Sequence, residues 1–144
     1  MSWTDKQKVV VPVDLSEFSY SAVKVAGDFV SDNNKLHVIH VVRELNPNAL
    51  GGYLGKEYTD NRPRVCQDLL NEKICSEFPG VHIHVEHGDP GITIAGFATR
   101  IQADLIVMNS HGRRGMKQHM IGSVAERVLR LAKCPVLICK SEAE

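Results

Sequence analysis

Two periods alternate along this chain, and that alternation constrains its fold more than any other feature. Short, β-branched apolar runs of strand length take turns with longer stretches whose apolar residues recur at helical spacing. Lys8–Val13 is the first run and Leu36–Val42 the second. Val81–Val85 alternates apolar and polar residues, which predicts a strand near a sheet edge with one wetter face. Asp104–Met108 and Val136–Cys139 complete the set. The first helical pattern is Phe18, Ala22, Val25, Ala26, Phe29 and Val30, stopped by Asp32-Asn33-Asn34. The second covers about 61–78, with Val65, Cys66, Leu69, Leu70 and Ile74 inward. The third, with Ile94, Ala98 and Ile101, opens on the cap and first-turn proline of Asp89-Pro90. The fourth starts near Ser123, carries Val124, Val128, Leu129 and Ala132, and ends before Cys134-Pro135. Such alternation predicts a single α/β domain over residues 1–144. Its core is a doubly wound, five-stranded parallel sheet with helices on both faces and right-handed crossovers.

A chain of 144 residues buries roughly two-thirds of its unfolded surface, so it needs no disulfide or metal to hold a core. Cys66, Cys75, Cys134 and Cys139 show no C-x-x-C spacing and sit among apolar neighbours, as buried free thiols do. Lys plus Arg balance Asp plus Glu at 17 each, which speaks against a nucleic-acid partner. No apolar run has membrane-spanning length, and Met1–Lys6 lacks a signal-peptide core. The expected location is the cytoplasm. His82 and His84 share one strand face with Glu86 beyond, so they are either a zinc-binding pair or a solvated one. His37 and His40 fall on opposite faces of their strand. No G-x-S-x-G elbow or nucleophile–base–acid set is present, so no catalytic residue is assigned.

Doubly wound sheets bind ligands outside the carboxyl ends of their strands. Two such ends are chemically loaded. One is Pro12-Val13-Asp14-Leu15-Ser16. The other is Asn109–Gly115, which leads through residues 116–121 to Gly122-Ser123 at a helix start. Gly112 and Gly122 allow close approach to the backbone and make positive φ cheap. Ser123 and Val124 fall in the first helical turn, whose N–H groups lack intrahelical partners and favour an anion. Arg113, Arg114 and Lys117 bring positive charge to the loop, and His111 either touches phosphate or orients the loop. The pattern reads as a phosphate cradle, or as a Gly-rich connection with Ser123 as a plain helix cap. It is neither G-x4-G-K-(S/T) nor G-x-G-x-x-G. Residues 44–58, with Asn46-Pro47, Gly51-Gly52 and Gly55, form a loop.

From Lys8 to Lys140 the chain resembles the universal stress proteins. The resemblance lies in Val11–Ser16, in Leu36–Val42, and in the tail from Ser110-His111-Gly112 through Gly122–Glu126 to Cys134–Leu137. The ATP-binding branch of that family carries G-x2-G-x9-G-(S/T). Gly112, nine residues, then Gly122-Ser123 fit it, and Asn109 stands at the first glycine. The resemblance implies strand order 3-2-1-4-5 and a regulatory ATP-binding protein with little or no turnover. Under it, Pro12, Val13 and Asp14 line the adenosine end, although Asp14 also reads as a cap for the first helix. The backbone of Val41 meets the adenine edge. Met108, Asn109 and Gly112 border ribose and phosphate, while Arg113, Gly122, Ser123 and Val124 take the phosphates. The nucleotide is ATP, or AMP or ADP, with Mg2+ arriving on the phosphates. Two other functions stay open on the same residues. One is a slow ATP hydrolase or nucleotidyl-transfer enzyme; the other is a dimeric interaction module with a degenerate pocket.

The last strand is an expected sheet edge, yet Val136, Leu137 and Ile138 are apolar on both faces with no protecting lysine or proline. Such an edge pairs with a second copy, giving a two-fold homodimer. The resemblance implies the same pairing. A regulatory protein also needs a protein partner, which the residues do not name.

Overall fold

The computed structural model describes residues 2–45, 60–110 and 121–140. They form β1 (Val9–Pro12), α1 (Glu17–Gly27), β2 (Leu36–Val42), α2 (Arg62–Glu77), β3 (His82–His87), α3 (Pro90–Arg100), β4 (Leu105–Asn109), α4 (Ser123–Leu131) and β5 (Val136–Cys139). The strands make one parallel sheet in the order β3-β2-β1-β4-β5. The expected fold class, edge position of the third strand and edge position of the fifth are all present.

β1 and β4 are buried along their whole length, as central parallel strands covered on both faces must be. Val9, Val11, Leu36, Val38 and Val107 point to one face, where Ala22, Val23 and Ala26 of α1 and Leu70 and Ile74 of α2 cover them. Val10, Ile39, Ile106 and Met108 point to the other, against Ile94, Phe97 and Ala98 of α3 and Ala125 and Val128 of α4. β3 is only half-buried, which explains its alternating sequence.

Caps set the helix starts. Ser16 caps α1 by accepting from the Ser19 N–H at 3.1 Å, and Asp89 caps α3 by accepting from the Ile92 N–H at 3.1 Å. α3 ends in paired bonds from Ala103 N–H to the Ala98 carbonyl and from Gln102 N–H to the Thr99 carbonyl, with Gln102 at φ 58°.

Three expectations change. α1 stops at Gly27, so Phe29 and Val30 lie beyond it, and Asp32 instead caps a short 3-10 turn, Asn33–Lys35. On α2, Val65 and Leu69 are exposed at 48% each, where they border an open cleft. On α4, Leu129 is also exposed.

At the amino end of the sheet, Asp104 accepts from the main-chain N–H of Gln7 and Lys8 at 2.8 and 3.1 Å, and its own N–H donates to the Lys8 carbonyl at 3.0 Å. Lys6 is buried nearby. Its ammonium group makes no hydrogen bond among the described residues and lies 4.3 Å from the centre of the Trp3 ring.

Candidate functional site

Strand order reverses between β1 and β4, and the carboxyl ends of those strands open into a cleft of about 1240 Å³. Pro12, Val13 and Asp14 form its wall at the end of β1. Met108 and Asn109 form the β4 wall, and Gly122, Ser123 and Val124 the α4 wall. Val41 contributes from β2. These sequence-predicted positions, far apart in the chain, therefore converge on one cleft. Gly112 and Arg113 lie outside the described residues, as do His111, Arg114 and Lys117.

The turn from β1 into α1 is built around Asp14. Its carboxylate accepts from both the N–H and the hydroxyl of Ser16, and its own N–H donates to the Ser19 hydroxyl at 3.2 Å. Asp14 is thus not the helix cap. It holds the residue that is. Leu15 between them has φ 69°, a left-handed backbone that is costly for a bulky side chain and is often stored near functional sites.

The ladder between β1 and β2 ends where Val13 N–H donates to the Ile39 carbonyl at 2.9 Å. Main-chain groups of successive strand residues alternate sides, so Val41 presents the same edge two residues on, past the end of β1. The Val13 carbonyl, which would continue the ladder, instead accepts from His40 Nδ1 at 2.8 Å. That bond fixes the Nδ1–H of His40.

Gly122 takes φ −64° and ψ 158°, so the positive φ that glycine makes cheap is not used there. It sits at the N-cap of α4, offers no side-chain bond, and donates its N–H to the Ser110 carbonyl at 2.6 Å. The first-turn N–H groups at Ser123, Val124 and Ala125 have no intrahelical acceptor, and all three residues line the cleft. Together with the helix dipole they suit an anion.

Asn109 holds the position of the motif's first glycine. It has no positive φ. Its side chain turns toward α1, and Nδ2 donates to the Phe18 carbonyl at 2.7 Å. The residue is 8% exposed, and its Oδ1 has no donor among the described residues.

Residues missed at the sequence level complete the walls. His40 and Arg43 come from β2 and its end, and Arg62, Val65 and Leu69 from α2. Arg43 directly follows the last apolar residue of β2, so the strand-end rule already pointed to it. Arg62 is held by Asp60 through Nε at 3.0 Å and Nη2 at 2.7 Å, which keeps the Asp60 carboxyl far below its ordinary range. Burial raises the Cys66 thiol, so this cleft residue is not an activated nucleophile. Just before the cleft residue Pro90, the Asp89 carboxyl is held low first by the Ile92 N–H and then by Arg127, whose Nη1 is 3.0 Å away.

The histidines on β3 sit elsewhere. Register pairs His37 with His82, and the rings of His37, His82 and His84 stack, with His37 Nδ1 3.0 Å from His84 Nε2. Glu86 pairs instead with Arg100. No group of three or more His, Cys, Asp or Glu among the described residues is placed to hold a metal. Burial, then the neighbouring His82, His84 and Lys8, push the His37 pKa down to about 4.

Residues 6–140 match the universal stress protein family. The chain belongs to it. Universal stress protein MJ0531 of Methanocaldococcus jannaschii is 36% identical over 141 residues, covering 93% of this chain and 82% of that protein. The structure of the hypothetical protein MJ0577 shares this fold at TM-score 0.76 and 24% identity, covering 99% of this chain and all of that one. A universal stress protein in complex with cAMP superimposes at TM-score 0.62 and 20% identity, covering 96% of this chain and 99% of that one.

Proposed function

We propose that this universal stress protein is a cytoplasmic regulatory protein that binds an adenine nucleotide, ATP first, in the cleft between β1 and β4. One observation carries the reading. The open N–H groups of α4 and the main-chain edge of Val41 beyond the end of β1 line a single cleft, so anion and base recognition are supplied together. Pro12, Val13 and Asp14 serve the adenosine end, Met108 and Asn109 the ribose, and Gly122, Ser123 and Val124 the phosphates; Gly112 and Arg113 join the phosphate set by resemblance. The cAMP complex belongs to a relative that shares the fold, and the reading here rests on the cleft. Mg2+ neutralises phosphate charge and enters with the nucleotide. Asp14 is the one carboxylate among the described cleft residues, too few for a protein-built cage but enough for a cation that phosphates already hold. The four cysteines are free, in keeping with a reducing compartment.

A homodimer through β5 completes the proposal. Pro135 and Cys139 turn their carbonyls to β4, so the main-chain groups of Val136 and Ile138 face outward at the edge. Light scattering at micromolar concentration should give a dimer; a monomer overturns this element.

The test of function is mass spectrometry of nucleotide released from freshly purified protein, with calorimetric titration of ATP, ADP and AMP. Bound adenine nucleotide and a raised thermal midpoint with ATP are expected. An unchanged midpoint at millimolar ATP overturns nucleotide binding and leaves an interaction module. His40 gives the enzyme reading its one support, since its fixed Nδ1–H leaves Nε2 as an acceptor when the ring is neutral. Multiple turnover of ATP would make the protein a slow hydrolase.

A further inference from the structure

We propose that the three stacked histidines of β2 and β3 form an acid-released latch. It holds the edge strand β3 to the sheet while the rings are neutral. It frees that strand, with the rest of the sheet still folded, once the rings take up protons. Among the described residues β3 pairs with β2 alone. One of its faces, with Ile83 and Val85, packs on the core that includes Leu70 and Ile74 of α2. The other carries His82, His84 and Glu86, which register sets beside His37 and its neighbours on β2. The His37 ring lies 4.7 Å from that of His82 and 5.3 Å from that of His84, nearly parallel to both. His84 in turn meets Phe97 of α3 at 4.6 Å. On this face the edge strand is joined to the sheet by imidazoles, where the opposite face uses aliphatic side chains.

Three features make that join sensitive to protons. The 3.0 Å contact between His37 Nδ1 and His84 Nε2 needs one N–H and one lone pair, so it lasts only while the accepting ring is neutral. All three ring centres lie within 6.5 Å of one another, so a second charge is set close against the first. The other charged groups facing the stack are mainly cations: Lys8 beside His37, and Arg100 of α3 beside His84. Glu86, the one carboxylate facing it among the described residues, is paired with Arg100. Burial first, and then the neighbouring rings and cations, hold His37 and His84 below the ordinary imidazole range. A ring on a freed strand returns to that range, so protons bind the freed strand more readily. The latch is therefore intact above about pH 6.5 and fails as the pH falls toward 4. Gly88 N–H ends the β3 ladder on the Val42 carbonyl at 3.0 Å, and Pro90 beyond it lines the cleft, so the latched strand leads into the cleft wall.

The experiment is hydrogen–deuterium exchange of the full chain between about pH 7.5 and 4.5, read as protection factors so that the intrinsic pH dependence of exchange drops out. Over that window the amides of His82–His87 should lose roughly tenfold in protection relative to those of β1 and β4. In the double variant His37→Gln with His84→Gln, shown by circular dichroism to be folded, the relative loss should disappear. A β3 that stays in step with β1 and β4 across the window overturns the latch, as does a loss that survives in the double variant. An NMR titration of the imidazole C–H signals in the unmodified protein needs no variant. His37 and His84 should titrate below the ordinary range and together with the β3 amides; ordinary, independent titration of the two rings overturns the proposal.

Discussion

At the amino end of the sheet, main-chain groups are tied off. Asp104 takes the N–H groups of Gln7 and Lys8, the Lys8 carbonyl takes Asp104 N–H, and Lys8 Nζ covers the Ile101 carbonyl at 3.1 Å. At the carboxyl end the same sheet leaves groups open. The first turn of α4 has no side-chain cap, the edge of Val41 runs past β1, and Asn109 Oδ1 has no donor among the described residues. The difference lies in the main-chain groups, since each end also holds one buried side-chain atom without a partner, Lys6 Nζ at the amino end and Asn109 Oδ1 at the carboxyl end. Polar groups left open in a concave site are where a ligand gains most, since it replaces water there without breaking protein bonds.

Substitutions at the two ends should separate stability from binding. The largest effect is expected for Gly122→Val. Its backbone is in the extended region that valine adopts readily, so the fold should hold, while a branched side chain at the mouth of α4 should weaken ATP binding on the order of thirtyfold. Calorimetry reads the affinity; an unchanged value would show that the α4 wall is not the anion site. The converse is Asp104→Ala. It removes two main-chain contacts at the closed end and should lower the unfolding free energy by about 2 kcal/mol in denaturant titration. Affinity of the folded protein for ATP should not change, and a matching loss would break the separation between the ends.

The smallest effect is in pH. His37, the second residue of β2, has a folded pKa near 4 against an ordinary value near 6.5, so the unfolded chain binds the proton more readily. Its contribution to stability is full above pH 6.5 and is lost as pH falls from there through 4. With solvent screening the loss should be roughly 0.5–1 kcal/mol. His37→Gln should flatten that slope in urea melts across the window; an unaltered slope would place the titration elsewhere.

Much of this is legible in the amino-acid sequence. Val9–Val11 and Leu105–Val107 are near-continuous apolar runs because both faces of a central parallel strand are covered, and that pattern survives any uncertainty about helices. Asp14, Asn109, Gly122 and Ser123 were found because strand ends and helix starts have fixed chemistry. What periodicity could not tell was which apolar positions meet protein. Val65 and Leu69 have the spacing of a buried flank, yet they border the cleft. The stacking of His37 on His82 depends on strand register, which is a property of two strands and of neither alone. The role of the Asn109 amide needed the position of the Phe18 carbonyl, from a helix 91 residues earlier in the chain.

Trp3, the chain's single tryptophan, rests beside the Lys6 ammonium group at the tied-off end of the sheet. The molecule thus carries its only indole chromophore on the side away from the cleft. Its emission should stay silent to occupancy, so a fluorescence titration without an added label would report a blank while the cleft filled. A reporter for the ligand has to be brought in with the nucleotide itself.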